Sequence, residues 1–171
     1  MHTKIIMKHG GMLDKFVGDE IMAIFGAPLD NARHAASCLE AAMEMVEAHN
    51  QLLERWKDKD VKAQAGIGIS TGECLVGEMG CELRTDYTCM GRVVNLGSRL
   101  CDEAKPKGIR ISKGTLEEAQ KWLKLETVEH TDIPVKGLAE NISIWEVTGI
   151  SDLNGGEGGE AKNEGDEGES G

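Results

Sequence analysis

Between Ala32 and Trp56 the apolar residues Ala32, Ala35, Leu39, Ala42, Met43, Val46, Leu53 and Trp56 recur at three- and four-residue steps, with charges between them. That spacing collects them on one stripe of a long α-helix, since side chains three and four apart share a face. A stripe of this length must be covered, and the rest of the chain offers strands to cover it. Val61, Ala63, Ala65, Ile67 and Ile69 alternate strictly, which predicts a half-buried strand. The segment "LDKFVGDEIMAIFG" (13–26) reads as two short strands around Gly18-Asp19, and "KIIMKHGG" before it as the end of a helix stopped by Gly10-Gly11.

Asp30 or Asn31 suits the N-cap of the long helix. Beyond 69, "TGECLVGEMG" turns into a second strand and "RTDYTCMG" leads toward a helix beginning near Val93. "GIRIS" is a short strand, and "KGTLEEAQKWL" a short helix with Thr115 as cap and Glu118 three residues on. Strands return around "TVEHTDIPVKGL" and "ISIWEVTG". Antiparallel-type strands interleaved with a few helices predict an α+β sandwich, with helices over one face of a sheet.

Charge narrows the function. Of the net −11, the last 17 residues hold six acids and one lysine in a Gly/Glu run. Such a segment cannot bury enough apolar surface to offset its ordering entropy, so 151–171 is expected to be a disordered tail behind a domain at 1–150. An acidic chain is a poor candidate for nucleic-acid binding, which draws on clustered Lys and Arg. No apolar stretch approaches membrane-spanning length. Five cysteines, odd in number and without a C-x-x-C pair, suit reduced thiols and a cytoplasmic setting, with no zinc site.

Three places could carry chemistry. Asp19 at the hairpin tip and Lys15 before it place an acid and a cation near one turn, although a Gly-Asp turn also serves backbone needs alone. In "VVNLGSRL", Asn95 and Arg99 are four apart and share a helix face, a pairing that suits an anionic oxygen or serves as a plain polar surface. Gly97 between them is expected to admit the close approach of another backbone. Lys136 follows an extended stretch anchored by Pro134 and could equally be solvated.

The order of "GGMLDKFVGDEIMAIFGAP", "AGIGISTGECLVGEMG", "RTDYTCMGRVVNLGSRL" and "IPVKGL" resembles the class III nucleotidyl cyclase catalytic domain, from about residue 5 to 148. The resemblance implies a ferredoxin-like antiparallel-sheet sandwich and an adenylate cyclase, converting ATP to 3′,5′-cyclic AMP and pyrophosphate. It assigns Asp19 to one of two metal-binding aspartates, with two Mg²⁺ (or Mn²⁺) ions expected. Lys15 and Thr88 become the base readers, where lysine goes with adenine and glutamate with guanine. Asn95 orients the ribose, Arg99 stabilises charge on the α-phosphate, and Lys136 holds the terminal phosphates. It further implies a head-to-tail dimer, as a homodimer or with another cyclase domain, with sites at the interface.

Two departures stand out. Arg92 occupies a position where relatives usually carry aspartate or asparagine. The family also begins with a strand bearing the first metal aspartate, whereas this chain enters at the end of the second helix, so the domain is expected to be incomplete at its N-terminus and inactive alone. The alternative is a cyclase-like regulatory or dimerising subunit without catalysis of its own.

Overall fold

The computed structural model describes residues 1–59, 63–81, 83–104, 108–134 and 141–153. Lys136 and all of the acidic tail from residue 154 lie outside the described residues. Helix α1 (His2–Lys8) leads into a hairpin of β1 (Met12–Val17) and β2 (Glu20–Ile24). Gly18, at φ 62°, and Asp19 form its turn, and that left-handed conformation is why glycine stands there. Leu13 faces Ala23 while Lys15 faces Met22, so Asp14 is the extra residue of a β-bulge.

Helix α2 (His34–Arg55) follows, then a 3-10 turn at Lys57–Lys59, β3 (Gly66–Ile69), β4 (Leu75–Cys81) and β5 (Arg84–Met90). Helix α3 (Arg92–Glu103), β6 (Gly108–Ile111), α4 (Lys113–Ala119), β7 (Leu123–Ile133) and β8 (Ile142–Asp152) complete the order. The strands form a four-stranded sheet, β3-β6-β8-β7, and two separate pairs, β1-β2 and β4-β5. Among the described residues every pairing is antiparallel except β3 with β6. This is the α+β architecture expected from the sequence.

The core lies where α2 crosses the larger sheet. Ala35, Ala36, Leu39 and Ala42 pack on Ile69, Ile109, Ile111 and Val147, and Leu39 and Ile111 are wholly buried. Burying such an aliphatic side chain stabilises the fold by about 1.5–3 kcal/mol, and the alanines let the helix approach closely. Cys38 packs against the same core, and burial pushes its thiol up to about 12. Only the thiolate is nucleophilic, so Cys38 is expected to resist maleimide at pH 8 while exposed Cys74 and Cys81 react first. Labelling followed by peptide mapping checks this order, and early modification of Cys38 would contradict the packing.

Polar contacts pin α1 to α2 and so set where the hairpin starts. Lys8 Nζ and His9 Nε2 each lie 2.7 Å from Glu44 Oε2. Hydrogen bonding to Lys8, then to His9, holds the Glu44 carboxyl below its ordinary range. Arg33 reaches Glu40 at 2.7 Å and lies over the Trp122 ring at 5.4 Å, tying the head of α2 to the loop after α4.

Several boundaries differ from the sequence expectation. Neither Asp30 nor Asn31 caps α2. Arg33 occupies the N-cap without a side-chain cap, and Asn31 Oδ1 instead accepts the Arg33 amide at 2.9 Å in the approach. Helix α4 is capped by Ser112, whose hydroxyl accepts from Thr115 N. Thr115 is wholly buried, and its hydroxyl donates to the Ile69 carbonyl at 3.2 Å, so it is a core residue in place of a cap. Strand β3 begins only at Gly66, leaving Ala63 and Ala65 outside it. "RTDYTCM" is itself a strand, β5, before the helix begins at Arg92. Strand β8 takes in Ser151 and Asp152, paired with Lys124 and Leu123, so the ordered domain reaches past residue 150. Among the described residues no helix is long and apolar enough to cross a membrane.

Candidate active site

Of the residues singled out by sequence, those that are described fall on three elements: the β1-β2 hairpin, β5, and α3. Thr88 lies in β5, opposite Gly77 of β4, and is buried. Its hydroxyl donates to Asp14 Oδ2 at 2.6 Å. That bond joins the two small sheets, which share no strand pairing. Lys15 Nζ stands 3.6 Å from the other oxygen of Asp14. Lys15 and Thr88 are 73 positions apart in sequence and meet through one carboxylate.

Asp14 was not among the residues expected from the sequence. Its side chain is 1% exposed, against 43% for Lys15. The bulge explains the difference, because an extra residue in one strand re-aims its neighbours. The sequence signal available was slight: two adjacent charges in an otherwise apolar strand. Cys89, next to Thr88, has its thiol raised by burial first, then by Cys74 and Asp14.

Helix α3 carries the second group. Leu100 is wholly buried and anchors it, while Asn95 is exposed and Arg99 lies part-buried one turn on. Arg99 Nη1 is 3.8 Å from Asp102 Oδ2, a loose pair on a solvent-facing side. Arg92 opens the helix and is exposed.

What sets the depth of α3 is a glycine on the facing strand. A methyl group at Gly68 of β3 would collide with the backbone of Gly97, Leu100 and Cys101, lying 2.6 Å from the Leu100 carbonyl carbon. A methyl at Gly97 would meet only Ser70 Cβ, at an ordinary 3.7 Å. The close backbone approach expected at Gly97 is real, but the residue that must lack a side chain is Gly68.

Asp19 sits exposed at the hairpin tip. Among the described residues no three acidic, histidine or cysteine side chains converge as a metal site. A single exposed carboxylate still fits Mg²⁺ in phosphate chemistry, where one or two carboxylates and the substrate's phosphates share the ion. Lys136 lies outside the described residues.

The hairpin with an acid at its tip, the buried Thr88–Asp14 bond joining it to a second pair of strands, and the helix presenting an amide and a guanidinium belong to one α+β domain. The chain matches the model of the adenylate and guanylate cyclase catalytic domain over residues 3–149, and it belongs to that family. The terminal-differentiation-specific adenylate cyclase of Dictyostelium discoideum is 34% identical over 147 residues, 83% of this chain and 7% of that protein. Among solved structures, the adenylyl cyclase CyaB from P. aeruginosa is 33% identical with a TM-score of 0.79, covering 86% of this chain and 76% of that one. The guanylyl cyclase Cya2 is 32% identical with a TM-score of 0.79, covering 90% and 78%. The chain spans under a quarter of the length of the curated relatives it matches.

Proposed function

We propose that this domain is an adenylate cyclase, forming 3′,5′-cyclic AMP and pyrophosphate from ATP. An adenylyl and a guanylyl cyclase resemble it equally in shape, so the fold does not choose the base. The observation that carries the choice is the cluster of Lys15 and Thr88 around Asp14. A lysine donates, which matches N1 of adenine as an acceptor and mismatches the protonated N1 of guanine.

The other residues follow from the reaction. The ribose 3′-hydroxyl loses its proton to water as its oxygen attacks the α-phosphorus, and the bond to the oxygen bridging the α- and β-phosphorus breaks to release pyrophosphate. Asn95 would orient the ribose, and Arg99, on the same face of α3, would meet the charge that gathers on the α-phosphate. Lys136 would hold the terminal phosphates. Asp19 would hold Mg²⁺ or Mn²⁺, which supplies Lewis-acid assistance to oxygens of the reacting groups. Exposed Phe16, Val17, Leu75, Tyr87 and Met90 on the two small sheets suit coverage by a second copy or a related cyclase domain.

The test is cyclic nucleotide production by the full-length natural protein from ATP and from GTP, with Mg²⁺ or Mn²⁺. ATP is expected to be strongly preferred, and Lys15→Glu to lower that preference by about tenfold or more, since the mismatch leaves buried polar groups unpaired. Equal turnover of ATP and GTP by the unmodified protein would remove the adenylate assignment.

A further inference from the structure

A threonine hydroxyl has one proton to give and two lone pairs to receive with. In this site the proton is committed. Thr88 Oγ1 donates to Asp14 Oδ2 at 2.6 Å, the length of a charge-assisted bond, and a carboxylate offers no proton in return. Asp14 cannot turn away to water, because its side chain is 1% exposed and fixed by the bulge in β1. Its second oxygen faces the Lys15 ammonium at 3.6 Å, so a single buried group constrains both base readers.

We propose that Asp14 is a specificity-positioning residue: by taking the Thr88 proton it leaves that oxygen able only to accept, and so tuned to an amine at the purine 6-position. The inference rests on the adenylate reading given above and deepens it. Adenine carries an amine at position 6 and guanine a carbonyl. An acceptor-only oxygen bonds the first and opposes the lone pairs of the second. A hydroxyl free to rotate would serve both, so threonine alone is not selective at this position. Selectivity comes from the pair Thr88–Asp14. Asp14 also keeps the Lys15 ammonium beside Thr88, so that the donor for N1 and the acceptor for the 6-amine lie side by side.

Asp14→Asn in the full-length protein tests this. The amide keeps the shape of the carboxylate but can turn its NH₂ toward Thr88, which releases the Thr88 proton to the base. The ratio of kcat/KM for ATP to that for GTP is expected to fall by about tenfold or more, with part of the change a gain on GTP. A purely structural defect would lower both rates and leave their ratio alone. A second measurement needs no variant. Purine riboside triphosphate, which lacks the 6-amine, should displace a fluorescent ATP analogue from the unmodified protein about tenfold less well than ATP. Equal displacement overturns the proposal even where Asp14→Asn does not fold. If the unmodified protein prefers ATP but Asp14→Asn keeps its ratio within about twofold, the role of Asp14 is overturned and the adenylate reading stands. If the unmodified protein prefers GTP, the adenylate reading fails and this inference falls with it.

Discussion

Gly68→Ala is expected to lower the thermal midpoint by about 6–12 °C and to abolish most of the proposed cyclase activity. The added methyl would fall among the backbone atoms of Gly97, Leu100 and Cys101, where no flexible side-chain end can yield. Overpacking a core costs about 1–3 kcal/mol, and more when backbone must move. About 3 kcal/mol is a large part of an ordinary domain's stability, and each kcal/mol shifts the midpoint of a domain this size by roughly 2–4 °C. Activity should fall further than stability. The helix forced off the strand is the one that carries Asn95 and Arg99, and a misplacement of about 1 Å can cost about a hundredfold in rate. Differential scanning of the purified variant beside the unmodified protein checks the first part, and an unchanged midpoint would show that α3 packs less closely than described.

Arg99→Ala should have the opposite profile: a normal midpoint and a failed reaction. Its guanidinium makes a loose pair with Asp102 on a solvent-facing side, and such pairs contribute about 0–1 kcal/mol. The proposed role is to meet charge that appears only as the α-phosphorus is attacked. Removing a group of that kind lowers kcat by roughly two orders of magnitude or more and leaves KM nearly alone. Lysine should rescue poorly, because a point charge does not reproduce the planar fork of arginine. Steady-state kinetics of the full-length Arg99→Ala protein provide the check, and near-normal kcat would make Arg99 a surface residue only. Together the two variants separate the placing of α3 from the chemistry done on it.

The sequence revealed most where a single element carries its own pattern. The stripe from Ala35 to Val46 announces α2 because helical periodicity is local, and Gly18-Asp19 announces a turn because a positive φ needs glycine. Asn95 and Arg99 could be placed on one face of α3 for the same reason. What escaped depends on two elements meeting. Gly97 looked like the residue that admits a neighbour, yet the neighbour's glycine, Gly68, bears the constraint; spacing along one helix cannot say which side of a contact is crowded. Asp14 escaped because alternation assumes a regular strand, and a bulge breaks the count. Ser112 escaped as the α4 cap because Ser112 and Thr115 both have cap chemistry, and only burial against Ile69 decides between them.

The β1-β2 hairpin is a cantilever. Its root is clamped, with Gly11 against the Phe25 ring and Asp14 bonded to Thr88. Beyond that clamp Phe16 and Val17 are bare, and Asp19 is the last point before the chain turns back. At about 3.3 Å per residue the arm runs roughly 10 Å from Asp14 to Val17, where the turn begins. A beam held at one end transmits every small rotation at its root as a larger excursion at its end. Lys15, one residue from the clamp, inherits little of that motion, and Asp19 inherits nearly all of it. The end of the hairpin that carries Lys15 is thus stiffened by the fold of one chain. Under the metal role proposed for Asp19, how accurately that end is held depends on whatever surface comes to rest on Phe16 and Val17.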